Sequence, residues 1–408
     1  MSKLTPLAED ESGAHALRKP NLGVAVLCCG VTGLIAQLFT ALSPALPPMA
    51  AEFANQGDGA MIAQLVFSLA AITLIFGATA AGILNEIIGR RRIIIYSLII
   101  YAIAGVAGML ATDLTTLAVT RGVAGFVSGV MLTASYATIG EYYEGPAREH
   151  MLGRVSMFSG ACAVVLTILG GVIVDHLGWR AIFGMFVLSL ILVPIAQKSL
   201  QPSLTKPQPI VGGWSPIIVL WPLYVLLTIY TILIYMTALQ SPFLLDSRGI
   251  TSGTQIGFLL ALTSVFGATG SFAYGYMRRY MGFSAMLAFA SLTGGLGMVL
   301  AGFVPGVSAY IIAAILIGCG IGIIEPTIAS ETLTRTPERL HDRAMGVNIS
   351  AMFFGQFLNP IVMGPLRTTW GIGEAFIYVG LAFTAAGMLF LAAIFRKPAL
   401  TPAAPPGE

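Results

Sequence analysis

Twelve stretches of about twenty apolar residues, separated by short breaks rich in charge, proline or glycine, constrain this chain more than any other feature. A bilayer core of about 30 Å is spanned by about 20 residues rising 1.5 Å each, so every stretch predicts one membrane-crossing helix. The expected spans lie near 22–46, 61–85, 93–111, 116–140, 152–174, 179–197, 215–239, 255–276, 283–303, 309–332, 344–366 and 372–395. Hydrophobic residues make up 56% of the 408 and charged residues 10%, whereas a soluble domain is about a quarter charged. The chain therefore reads as an all-α membrane protein whose partner along most of its length is the lipid bilayer. The first run is long and lacks a small-residue cleavage site, so it is expected to be a retained helix and not a signal peptide.

The longest polar break, 198–216, holds three prolines before Gly212-Gly213 and one after. It divides the chain into a first bundle, 1–197, a linker, and a second bundle, 217–408, with six helices in each. Lys and Arg sit in the short loops in a strongly uneven way. With both termini on one side, only Arg180, Arg248 and Arg367 of the 21 basic residues fall on the other, and Arg121 lies within a span. Basic loops stay on the cytoplasmic side during insertion, which predicts cytoplasmic N- and C-termini.

The halves resemble each other. Gly82-x6-Gly89 recurs as Gly275-x6-Gly282, Gly125-x3-Gly129 as Gly318-x3-Gly322, and Gly153 as Gly346, all at a shift of 193 residues. Two six-helix repeats in the same orientation are related by an axis along the membrane normal. In carriers so built, the binding site lies between the halves near mid-membrane.

Other classes fit poorly. A net charge of +3 with the cations confined to short loops gives no nucleic-acid surface. Cys28, Cys29, Cys162 and Cys319 fall inside apolar runs without metal-ligand spacing, so neither a metal nor a cofactor is expected. His15, His150, His176 and His341 lie in loops or the tail, and no zinc-protease, nucleophile-elbow or phosphate-loop pattern occupies a span, which argues against an enzyme.

One stretch narrows the reading further: Gly82-Ile-Leu-Asn-Glu86-Ile-Ile-Gly89-Arg90-Arg91-Arg92, a cationic turn between the second and third spans. Its Gly82, Glu86, Gly89, Arg90 and Arg91 resemble the signature loop of the major facilitator superfamily, with Glu where the family usually has Asp and Ile87 where a base often follows. Similar in kind are Arg121-x3-Gly125-x3-Gly129 on the fourth span, Glu141 with Arg148 and Gly153 after it, and Trp179-Arg180-x2-Phe183 opening the sixth. The resemblance covers the whole chain. Ser43-Pro44-Ala45-Leu46-Pro47-Pro48 and the short linker are similar to the bacterial drug:proton antiporter and sugar-efflux branches. Two departures set it apart from the antiporters. Their fifth-helix motif survives only as Gly170-Gly171, and the first span carries no acid.

What the resemblance implies is a monomeric secondary transporter of the bacterial cytoplasmic (inner) membrane, with twelve helices in the major facilitator fold. Alternating access would carry a small organic solute, as proton-coupled efflux of drug-like or sugar-like compounds. Uptake of a nutrient by a proton symporter or facilitator, or a transporter-like sensor, are the alternatives. The family's acid in the signature loop closes the cytoplasmic side by bridging the halves. The same role is expected of Glu86, docking at the start of the eleventh helix beside Arg90 or Arg343 when the carrier faces outward.

Glu325 is the sole acid deep inside an expected span, where a charged carboxylate costs about 2.5–3.5 kcal/mol on insertion scales. Gly318, Gly322, Glu325 and Ala329 share a face on which a neighbouring helix could bury the acid. It is either a proton or substrate site, or a structural acid bonded to Asn348, Gln356 or Asn359. Arg121, the other intramembrane charge, lies roughly 15 Å from Glu325 along the membrane normal, ten residues at 1.5 Å each, which is too far for an ion pair. It either couples protons, as implied by the family, or bonds carbonyls of neighbouring helices. Gln37, Thr40, Tyr136, Tyr230, Tyr235, Thr237 and Gln240 are polar groups in apolar spans, each either a solute contact or a helix contact.

Overall fold

The computed structural model describes residues 21–201, 214–337 and 340–395. Most of the expected linker, 202–213, lies outside the described residues. The twelve expected spans are present: α1 (Leu22–Glu52), α2 (Gly59–Ile88), α3 (Arg90–Leu110), α4 (Leu114–Tyr142), α5 (Gly145–Leu177), α6 (Ala181–Ser199), α7 (Trp221–Asp246), α8 (Gly253–Met277), α9 (Phe283–Phe303), α10 (Val307–Arg335), α11 (Arg343–Trp370) and α12 (Ile372–Ile394). They form two six-helix bundles, α1–α6 and α7–α12.

Side chains at the loop ends start the helices by accepting from their free N–H groups. Asn21 takes Val24 N at 2.8 Å, Asp58 takes Met61 N at 3.0 Å, and Asp113 takes Thr116 N at 2.8 Å. The backbone bond and the Thr116 hydroxyl hold the Asp113 carboxyl below its usual range. Gly89 joins α2 to α3 at φ 86°, a left-handed conformation that any side chain would strain.

The 193-residue repeat has a packing counterpart. A Cβ on Gly125 or Gly129 of α4 would collide with Ala70 or Leu74 of α2, and a Cβ on Gly318 or Gly322 of α10 would collide with Thr263 or Gly267 of α8. With no driving force between helices from water, close backbone approach through small residues is what holds such pairs together. Each half thus docks its fourth helix on its second through the same glycine pair.

α7 departs from its expected bounds, starting later and running on to Asp246. Leu220 and Pro222 set its start, and the polar Gln240-Ser241-Pro242 end stays helical through a π turn over Met236–Gln240 because those residues are buried. Two of the apolar clusters, around Met298 and Leu287, belong to the second half. The largest belongs to the first half but takes in Leu239 of α7 and Phe353 of α11, so the two bundles share core.

Candidate functional site

The two bundles meet at the end away from Arg90, Arg91 and Arg92. There Asp58 of α2 accepts from Arg367 of α11 at 2.6 Å, and the Ser43 hydroxyl of α1 donates to the Ala238 carbonyl of α7. Gln64 of α2 and Gln240 of α7 exchange two amide hydrogen bonds, both 3.0 Å, and Gln240 also donates to Asn359 at 3.1 Å. The Asp175 carboxylate at the end of α5 accepts from Ser252 and from the first backbone N–H groups of α8. One layer deeper, the Phe39 and Phe353 rings meet across the halves at 5.7 Å between centroids.

Beneath this seal lies a crevice of about 140 Å³ lined from the first half by Thr40, Ser43 and Thr167, and from the second by Thr237, Thr263 and Ser264 with their apolar neighbours. Thr40, Thr167 and Thr237 each donate their hydroxyl hydrogen to a carbonyl of their own helix. Ser43 gives its hydrogen to Ala238, so these four oxygens present lone pairs to whatever fills the crevice.

Toward the arginine-rich end the helices part. Glu325 is exposed there although it sits 19 residues into α10, and Tyr136 of α4, on the other side, is 39% exposed. The Tyr136 and Tyr235 hydroxyls lie within electrostatic reach of the Glu325 carboxylate, so groups of both halves converge on it. The expectation that a neighbouring helix buries this acid is not met. α10 docks on α8 through Gly318 and Gly322, and the two helices stay in reach beyond Glu325, where Arg278 at the end of α8 faces Glu331 of α10 at 3.8 Å, yet Glu325 itself is left exposed. Nor does Glu325 bond Asn348, Gln356 or Asn359. Asn359 is committed to Gln240 and to the Ile232 carbonyl, and among the described residues Gln356 is buried with its amide unpaired.

Other expected site residues lie elsewhere. The Tyr230 hydroxyl meets Ser291 at 2.5 Å and its ring stands edge-on to Phe383, so it belongs to the packing of the second half and does not face the cleft. Gln240 belongs to the seal. Gln37 is buried in α1 with its amide nitrogen unpaired among the described residues. Arg121, 1% exposed, donates through one nitrogen to the Leu38 and Phe67 carbonyls at 3.0 and 3.2 Å, tying α4 to α1 and α2. Its Nε and Nη1 are unpaired among the described residues.

In the arginine-rich turn, Arg90 is engaged by Glu141 and Arg91 donates to the Gln197 carbonyl at 2.7 Å, both within the first half. Arg148 is exposed near Gly140, and Arg343 stacks over Trp214 at the end of the linker. Gly82 and Glu86 are exposed. The sequence did not single out Asp58, Gln64 or Asp175, and it offered Asn359 and Arg367 only as a partner for Glu325 and as a loop cation. A cue existed for one contact: Ser252-x-x-Gln255 has the form of a helix-start capping box, which marks the α8 terminus that Asp175 meets.

Comparison with known proteins agrees with this architecture. A family model described as Major Facilitator Superfamily matches residues 28–358 and, again, 223–408. The multidrug efflux pump Tap of Mycobacterium tuberculosis is 24% identical over 364 residues, covering 83% of this chain and 85% of that protein. The multidrug transporter protein MdtP of Bacillus subtilis is 29% identical over 161 residues, 38% of this chain and 29% of its own length. Among solved structures, the nucleoside transporter NupG superposes with a TM-score of 0.73 at 14% identity, covering 92% of this chain and 98% of that one. A peptide transporter POT superposes at 0.75 and 13%, covering 93% and 96%. At such identities the structures speak for the fold alone.

Proposed function

The chain belongs to the major facilitator superfamily, a family of transporters and not of enzymes, and from that premise we propose that it is a proton-coupled exporter of drug-like or sugar-like solutes. The observation that carries the reading is Glu325, an intramembrane carboxylate exposed in the cleft between the halves and approached by Tyr136 of one and Tyr235 of the other. An ionisable group that faces a wet cavity inside a membrane is a site where a proton and a solute can compete.

Efflux is favoured over uptake by the similarity to Tap, a multidrug efflux pump. On this reading the arginine-rich end is cytoplasmic, the membrane is a bacterial inner membrane, and the carrier works as a monomer. The cleft then opens toward the cytoplasm and is sealed outside. Solute would enter beside Glu325, reach the crevice of Thr40 and Thr237, and leave outward after the halves rock about it. The hydroxyl oxygens of that crevice and the carboxylate below it all accept hydrogen bonds, which suits solutes rich in N–H or O–H donors. Glu86 docks at the start of α11 in the opposite state, where the positive helix end favours a carboxylate by about 0.3–1 kcal/mol.

The test uses everted membrane vesicles with ethidium as a fluorescent probe. An imposed proton gradient should drive ethidium accumulation by the parent chain. Glu325→Gln should lose that accumulation and keep ethidium–ethidium exchange. Gradient-driven flux that survives Glu325→Gln undiminished would remove Glu325 from coupling.

A further inference from the structure

We propose that Asp175 is a state-selective latch: its carboxylate, carried by the first half, caps the opening turn of α8 in the second half and holds the carrier sealed at this end. The inference deepens the alternating-access reading above and rests on it.

α8 begins at Gly253 with Ser252 as its own cap, but the Ser252 oxygen reaches only Gln255 N, at 3.4 Å. The N–H groups of Gly253 and Thr254 are left over, as the first turn of any helix leaves them. Asp175 takes both. Its Oδ1 accepts from Gly253 N at 2.6 Å, and its Oδ2 accepts from Thr254 N at 2.9 Å and from the Ser252 hydroxyl at 2.8 Å. One carboxylate thus completes the capping of a helix that belongs to the other bundle, at the helix end where the dipole favours negative charge.

The backbones beside it touch. A Cβ on Gly171 of α5 would collide with the Gly253 carbonyl, and a Cβ on Gly257 of α8 would come within 2.7 Å of the Thr167 carbonyl. Side-chain carboxylate and glycine contact form at the same separation of α5 and α8, so they are made together and broken together. When these helices part, all three hydrogen bonds to Asp175 are lost at once and must be replaced by water. Asp58–Arg367, the other charged contact of the seal, joins two side chains of which Asp58 is 40% exposed, the kind of pair that contributes little. The bonds to backbone N–H groups at a helix start are therefore the larger bias toward the sealed state.

Access to the crevice from the sealed side reads this bias without any transported solute. Thr40→Cys in the full-length chain places a thiol beneath the seal, and a membrane-impermeant maleimide is applied from that face of sealed vesicles. The same chain without Thr40→Cys serves as the blank for the native cysteines. Asp175→Asn exchanges an acceptor oxygen for an N–H group that opposes the Gly253 and Thr254 donors, and should raise the labelling rate roughly tenfold. Gly171→Val pushes the same helices apart without touching the carboxylate and should raise it likewise. Asp175→Glu, which keeps the charge, should recover part of the parent's protection.

Unchanged labelling in Asp175→Asn, with Gly171→Val accelerated and both proteins monodisperse, would overturn the latch and leave Asp175 a local cap. No change in either would overturn it together with the glycine contact. If labelling shifts as expected but no gradient drives ethidium in the parent chain, the latch stands and the export reading falls.

Discussion

Gln64 of α2 and Gln240 of α7, 176 residues apart in sequence, face each other across the two bundles and exchange a reciprocal pair of amide hydrogen bonds, each 3.0 Å long. Both are buried, and Gln64 also donates to the Leu239 carbonyl at 3.3 Å while Gln240 donates on to Asn359. The seal therefore contains a polar network inside an apolar interface. Low local polarity strengthens such bonds and penalises any member left without a partner.

Gln64→Leu should destabilise the sealed state, because Gln240 keeps its amide buried with one acceptor and one donor lost. The expected cost is about 1–3 kcal/mol. Gln64→Leu with Gln240→Leu should cost less than the sum of the two single changes, since the facing amides are removed together. Thermal unfolding of the four proteins in one detergent measures the cycle; additive losses would show that the pair is not coupled.

Exchanging the charges of Asp58 and Arg367 tests the ion pair beside it. Asp58→Arg places two cations together and should lower transport, and adding Arg367→Asp should restore part of it. The contribution of the pair is expected to be about 1 kcal/mol or less and to shrink with added salt. Flux of the three variants at low and high ionic strength checks this. A double variant no better than Asp58→Arg would mean that the two side chains do not act on each other during transport. Asp58 also caps α2, so Asp58→Asn, which keeps a capping oxygen, separates the two roles.

Glu86→Gln should slow ethidium export without unfolding the protein. In the sealed state Glu86 is exposed, so removing its charge breaks no contact there; the loss falls on the opposite state, in which it would dock at α11. Thiol accessibility should shift toward the conformation seen here. Equal turnover and equal accessibility would reduce the acid to a surface residue of a positively charged turn.

Arg121→Met bears on the second intramembrane charge. The guanidinium is buried with two nitrogens unpaired among the described residues, so an apolar side chain of similar length should leave stability unchanged or raise it. If Arg121 serves proton coupling, gradient-driven flux should fall by an order of magnitude or more while the melting temperature holds. Lowered stability with normal flux per folded protein would instead make it a tie between α4, α1 and α2.

What the sequence by itself determined is what hydropathy and local spacing encode. Twelve apolar runs set the spans, the arginines of short loops distinguish one face from the other, and the glycine pairs at a 193-residue shift mark the halves as repeats. Each is read from single helices and loops. The structure decides that α4 docks on α2 and α10 on α8 through those glycines. Tertiary structure alone decided which polar groups meet. Tyr230 and Tyr235 both lie on α7, yet the first turns to Ser291 within its own half and the second toward Glu325. Glu325 shares a face with Gly318 and Gly322 yet is exposed, with Tyr136 and Tyr235 in electrostatic reach, although α8 and α10 keep contact beyond it through Arg278 and Glu331. The pairings of Gln64 with Gln240 and Asp175 with α8 join residues of different bundles. They depend on the tilt of one bundle against the other, to which apolar periodicity is blind. An amide or carboxylate at a helix position looks the same in sequence whether it faces lipid, a cleft or its counterpart. Only the approach of the second bundle, and the penalty for burying an unpaired polar group, selects among them.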